Sequence, residues 1–240
     1  MRKRLLIYVW LLTPVALLAY HYGPGQSGLA RDAAAEQIAL AQNLETKEDW
    51  SAAMAAYGEA LAKLPASDNV TRWQLRLAQA KARMRSGELP ESITDLENLL
   101  TDVEKGNGAS TQLEDVRSNL GMAQYYAGWL MRLEGAKTEE WSVQVESARQ
   151  QFRLLAEEKL GADPVAAKAH QENLEATIRL ARMDLSELQG LPLPKFCQGC
   201  KNVSQKCRSQ CECKGKKPVE KEEPKDARGA GAGERPRGGS

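Results

Sequence analysis

Apolar side chains recur at helical spacing along most of the chain, from Asp32 to Gly190. Residues three and four positions apart share one face of an α-helix, so this spacing predicts amphipathic helices, and no strand-like alternation competes with it. A representative stripe consists of Trp50, Ala53, Met54, Tyr57, Ala60, Leu61 and Leu64. The pattern predicts an all-α body of about seven helices with short connections.

Turn and capping residues indicate where these helices begin and end. Asp68 is a candidate N-cap, and Gly87 ends the helix that follows it. Asp163 followed by Pro164 combines an N-cap with a first-turn proline, and opens the last long helix. We therefore expect one helical domain over residues 32–190.

The first helix pair resembles the tetratricopeptide (TPR) repeat, in which small residues sit where paired helices touch and large residues fill between them. The pattern in this chain reads Leu40-Ala41-x2-Leu44-x8-Ala53-x3-Tyr57-x2-Ala60-x4-Pro65. Gln37 stands where the family has Trp. Later units match less fully, at Ala80, Gly87, Leu96 and Leu99, and then at Leu120, Gly121, Ala148, Phe152 and Leu155.

The resemblance covers residues 35–160 and implies a short right-handed stack of antiparallel helix pairs, with the last helix as a cap. The alternative is an ordinary helical bundle with alanine-rich contacts. In the TPR family the first helix of each pair lines a concave face, which binds an extended peptide or a partner helix. Projected onto this chain, that face contains Gln42, Glu45, Lys81, Met84, Arg85, Met122, Tyr125 and Tyr126.

Two interpretations of this face are possible. Its mixed charge and two tyrosines favour the docking of a protein partner, whereas Met122 and one tyrosine are equally compatible with a place in the core. The carboxylate clamp of some TPR proteins is absent, because Gln42 and Met122 occupy slots where that clamp has Asn.

The amino-terminal residues have the pattern of a membrane anchor. Residues 1–4 include three bases and precede residues 5–22, which lack charge and would span about 27 Å as a helix. We expect residues 5–22 to be a transmembrane signal anchor, followed by a flexible linker over 23–31. The basic flank would keep the amino terminus cytoplasmic and place the rest outside, in the periplasm if the protein is bacterial. A cleaved signal peptide and a buried soluble helix are the alternatives.

All five cysteines fall within 17 residues, at Cys197, Cys200, Cys207, Cys211 and Cys213. Outside the cytoplasm they would form disulfides, with one thiol left over. They could instead supply four thiolates to zinc. Haem attachment and thiol–disulfide exchange are weaker alternatives, because the histidine of the haem motif and a βαβ scaffold are both missing. We expect a cysteine-rich segment over 191–214, no cofactor other than this possible zinc, and a disordered tail over 215–240.

Charge and composition narrow the function. The chain carries a net charge of +1, but residues 31–190 carry −8 between ends of +3 and +6. This balance does not favour nucleic-acid binding, and only two histidines are present. No catalytic set or phosphate-binding loop is recognisable, so we do not expect an enzyme. The sequence predicts a membrane-anchored scaffold that binds a protein partner. The alternative is a redox- or metal-responsive protein acting through Cys197–Cys213.

Overall fold

A computed structural model describes residues 2–22, 24–192 and 203, and these residues form helices and short connections without a strand. The helices are α1 (Arg2–Tyr22), α2 (Pro24–Thr46), α3 (Trp50–Lys63), α4 (Asn69–Ser86), α5 (Leu89–Lys105), α6 (Ser110–Leu133), α7 (Thr138–Lys159), α8 (Pro164–Arg182) and α9 (Leu185–Gln189). The predicted all-α class is confirmed.

Each helix from α2 to α8 packs mainly against the helices before and after it in the chain. The connections between them are two to five residues long, and such short loops make neighbouring helices run in opposite directions. α6 also contacts α4 and the short α9. The core therefore extends along the row of helices in a series of local clusters.

Of the two predicted N-caps, Asp163 fixes the start of its helix through its side chain, whereas Asp68 stands before α4 without a side-chain capping hydrogen bond. The Asp163 carboxylate accepts hydrogen bonds from the backbone N–H groups of Val165 and Ala166, at 3.1 and 3.0 Å. These groups have no partner inside the helix, so the cap satisfies them. Gly87 ends α4 with φ of 101°, a left-handed conformation that favours glycine.

The first three helices of the body pack through alanines, as the TPR-like pattern predicts. Ala41, Ala53 and Ala60 are fully buried in one cluster with Tyr57, which is 3% exposed. Small side chains let helix axes approach closely, and the larger Tyr57 fills the remaining space. Leu40 belongs to the same sequence pattern but is 47% exposed.

α6 and α7 approach each other at two glycines. A Cβ atom added at Gly121 would lie 3.0 Å from Cζ of Phe152. One added at Gly128 would lie less than 3.0 Å from Cγ2 of Val145. No larger residue fits at Gly128 unless the Val145 side chain or its helix moves, so glycine allows the close spacing of this pair.

The amino-terminal predictions need correction. Among the described residues, no helix has the length and apolarity required to cross a bilayer, so the predicted single-pass anchor is wrong, and with it the membrane topology that was derived from that anchor. The part of α1 without charged residues spans about 27 Å, shorter than a hydrocarbon core of about 30 Å, and Thr13 and Pro14 interrupt its apolar run. The predicted flexible linker is also helical, since α2 begins at Pro24, a residue suited to a first helical turn.

Candidate functional site

The predicted binding residues on α2 and α4 are in different environments. Gln42 and Lys81 are exposed. Met84 is 6% exposed and belongs to the core cluster that contains Leu89 and Leu120. The prediction that Met84 lines a binding face therefore needs correction, because the start of α5 and the middle of α6 cover it.

Two charged residues of the predicted face make contacts within the protein. The hydroxyl of Tyr57 donates a hydrogen bond to Glu45, and burial together with the charge of Glu45 raises the pKa of Tyr57 to about 12. The guanidinium of Arg85 lies 4.5 Å from the centre of the Trp50 ring, a cation–π contact. Both side chains help to hold helices together, which reduces their freedom to bind a partner.

The aromatic residues of α6 are partly in the core and partly at the surface. Tyr125 and Tyr126 are half-buried and meet edge to face, with ring centres 5.5 Å apart. Tyr125 makes a second edge contact with Trp129, at 5.9 Å. Tyr126 packs on the same cluster as Met84, and Met122 is half-buried. The two interpretations, a binding surface and a place in the core, therefore each apply in part, because each tyrosine packs inward and remains partly accessible.

A shallow, open cavity of about 440 Å³ lies at the end of α8, close to Tyr125. Its lining consists of Glu175, Ile178, Arg179, Arg182, Met183 and Glu187. Met183 and Tyr125 belong to one apolar cluster, which places the cavity next to α6. Burial and the neighbouring Tyr126 raise the pKa of Tyr125 to about 12, against the opposing charge of Arg179, so its phenol is a neutral hydrogen-bond donor at pH 7.

We call Tyr125, Ile178, Arg179, Arg182 and Met183 the tyrosine–arginine surface. Arg179 and Arg182 are exposed, and neither forms an ion pair within the part of the chain that the structure describes. Two guanidinium groups beside an apolar floor can bind carboxylates in a bidentate manner, while Ile178 and Met183 contact an apolar group of the same ligand. Glu175 and Glu187 on the rim limit the net charge of the cavity.

Arg132 of α6 holds the cavity in shape. Its guanidinium donates to the backbone oxygens of Leu180 and Met183, the latter at 2.5 Å, and stacks 4.7 Å from the centre of the Trp141 ring. The last carbonyls of a helix have no partner inside it, so Arg132 acts as a cap for α8. The fully buried Leu188 then fixes α9 against the same cluster. The cavity walls are therefore positioned before any ligand binds.

The sequence pattern does not single out Arg179 and Arg182, because the TPR resemblance assigns the last long helix only the role of a cap. A signal for them does exist. Ile178, Arg179 and Arg182 have the spacing that places an apolar and two basic side chains near one another on a helix. The spacing does not reveal that Tyr125, 54 positions before Arg179 in the chain, lies close to these residues.

A second polar cluster joins α6, α7 and α8. Glu114 accepts a hydrogen bond from Lys159, and its Oε1 lies 3.3 Å from Nε2 of His170, which is 7% exposed. Burial alone would raise the pKa of Glu114, but the hydrogen bonds from Lys159 and His170 and their charges hold it below its ordinary value. The cluster spans three helices, so we assign it a structural role.

The predicted metal or disulfide site cannot be compared with this geometry. Cys197, Cys200, Cys207, Cys211 and Cys213 lie outside the described residues. Within residues 2–22, 24–192 and 203, no group of three or more His, Cys, Asp or Glu side chains is arranged to hold a metal ion.

Comparison with known proteins adds no identification, since no family model, curated protein or solved structure matches the chain.

Proposed function

We propose that this protein is a non-enzymatic binding scaffold, built as a short TPR-like stack, whose tyrosine–arginine surface binds a protein segment with acidic and apolar side chains. The observation that carries the proposal is the cavity at the end of α8, where Arg179 and Arg182 lack acidic partners among the described residues and Ile178 and Met183 form an apolar floor.

Three features of the architecture support this proposal. A row of helices in which each packs on its neighbours offers long surfaces for an extended ligand. The buried alanines of α2 and α3 follow the spacing of the TPR pattern, in which such surfaces bind peptides. The rigid support from Arg132 reduces the ordering cost of binding, because the arginine-bearing end of α8 is already fixed.

Selection of peptides from a random display library on the purified full chain tests the proposal. We expect the selected peptides to combine Asp or Glu with aromatic or aliphatic residues. The double substitution Arg179→Glu and Arg182→Glu should weaken binding of the selected peptides at least tenfold. The charge-assisted hydrogen bonds are lost, and the new carboxylates repel the acidic residues of the peptides. Arg153→Glu is the matched control, since Arg153 is an exposed arginine on α7 that, among the described residues, pairs with Glu157 alone.

Two results would overturn the proposal. Selected peptides without acidic residues would show that the arginines do not determine the ligand. Equal binding to the double variant and to the Arg153→Glu control would place the binding site elsewhere. Circular dichroism of all three proteins establishes that their helical content is the same.

The alternative function, a redox or metal response through Cys197–Cys213, has one observation in its favour. Val203, which lies inside this segment, is 2% exposed and packs on the helical core. A change in cysteine chemistry would therefore act next to the body. Mass spectrometry of the intact protein with and without reductant and chelator tests it, since a bound metal or a rapidly exchanging thiol is required.

A further inference from the structure

Val203 is the one described residue after position 192, and it is part of the helical core. Its side chain is 2% exposed and belongs to the cluster formed by α4, α5 and α6. Its backbone N–H donates a hydrogen bond of 2.9 Å to Oε1 of Glu134, at the end of α6. A residue far along the chain thus makes both an apolar and a polar contact with the body.

Val203 lies at the wall of a groove that it does not fill. A volume of about 250 Å³ remains open beside it, lined by Pro90, Ile93, Thr94, Glu97, Ala127, Met131 and Gln144. These residues come from α5, α6 and α7, and most of the lining is apolar. The space is large enough for further side chains next to Val203.

The groove and the chain around Val203 carry complementary charges. Residues 201–210 include Lys201, Lys206 and Arg208 and no acidic residue. The groove presents Glu97, which is exposed and forms no ion pair among the described residues, and Glu134 at the end of α6 accepts a hydrogen bond from Val203. Residues 31–190 carry a net charge of −8, so the electrostatic potential of the helical domain also favours binding of a basic segment.

We propose that the groove between α5, α6 and α7 is the docking site of the chain's own cysteine-rich segment. Val203 is the apolar anchor, and the neighbouring basic residues interact with Glu97 and Glu134. Cys200 and Cys207 are three and four positions from Val203 in the sequence, so docking acts on the part of the chain that carries them. This inference does not depend on the proposed function of the tyrosine–arginine surface.

Limited trypsin digestion of the full chain tests the docking. Cleavage after Lys201 and Lys206 reports the undocked fraction when docking and undocking are fast. Burial of one valine side chain favours the docked state by a factor of about 10 to 100. We expect Val203→Asp to accelerate cleavage at both lysines by at least tenfold, whereas Val219→Asp, the same change 16 positions later, leaves the rate unchanged.

A substitution in the groove tests the docking independently, in case Val203→Asp disturbs folding. Glu97→Lys alters only an exposed side chain, and loss of an exposed charge attraction should accelerate cleavage by about two- to fivefold, less so in high salt. Glu59→Lys makes the same charge change at an exposed position of α3 and should have no effect. Circular dichroism checks that all variants keep their helical content.

Three outcomes would overturn the inference. Equal cleavage rates in the Val203→Asp and Val219→Asp proteins would show that Val203 does not anchor the segment. Equal rates in Glu97→Lys and Glu59→Lys would show that the groove does not receive the basic residues. Protection that disappears on dilution would assign the groove to the segment of a second copy of the chain.

Discussion

The contact between Gly128 and Val145 offers a direct test of how α6 and α7 are packed. A methyl group added at Gly128 would lie less than 3.0 Å from Cγ2 of Val145, which is 3% exposed. A β-branched side chain has little rotamer freedom, so Val145 cannot turn away without strain. Backbone atoms are not the obstacle, because the nearest is the carbonyl oxygen of Trp141 at 3.5 Å.

The expected free energies follow from two opposing effects. Gly128→Ala gains about 1 kcal/mol from helix propensity. Overpacking against Val145 costs about 1–3 kcal/mol, so the net change is a loss of up to about 2 kcal/mol. Val145→Ala alone should cost about 2 kcal/mol, from two buried methyl groups and the cavity they leave. In the Val145→Ala protein, Gly128→Ala should instead stabilise the fold by about 1 kcal/mol.

Urea unfolding of the four proteins, followed by circular dichroism and tryptophan fluorescence, measures this change of sign. The double-mutant cycle should give a coupling energy of about 1–3 kcal/mol. Gly28→Ala in α2 is the control, since a methyl group there meets no atom within 4 Å and reports helix propensity alone. The same effect of Gly128→Ala in both backgrounds would refute the argument that this glycine sets the spacing of α6 and α7.

Three further predictions concern single residues. Glu114→Gln should destabilise the protein by about 1–2 kcal/mol at pH 6, because Lys159 loses its carboxylate partner. The pKa of Glu114 is held below its ordinary value of 4.5, so its charged form stabilises the native protein above that pH. The difference in unfolding free energy between the native protein and the variant should therefore shrink as the pH falls below 4.5. A difference that stays constant with pH would contradict this. Asp163→Ala should lower the unfolding free energy by about 1 kcal/mol through loss of a helix cap, and an unchanged urea midpoint would exclude the cap. Glu45→Gln should lower the pKa of Tyr57 from about 12 in an ultraviolet titration, and no shift would show that burial alone raises it.

Local signals in the sequence predict the helices well. Asp163 with Pro164, and Gly87 in its left-handed conformation, mark boundaries through interactions within about one helical turn. The alanines at 41, 53 and 60 are buried as their spacing predicts, since periodicity alone identifies the face that turns inward. The expected membrane anchor shows the limit of a hydropathy pattern, because the charge-free part of α1 is shorter than a bilayer core.

The composition of the candidate site depends on tertiary contacts instead. The TPR projection assigns Met84 to a binding face, whereas its helical spacing from Leu77 and Ala80 places it on the apolar side of α4, which α5 and α6 cover. Arg179 gains its significance from Tyr125, which only the packing of α8 beside α6 brings near. The sequence alone determined which residues form helices and which faces are apolar, because those properties act over three or four positions. Only the tertiary structure decided which of those faces stay accessible and that Val203 joins the core, because accessibility depends on residues distant in the chain.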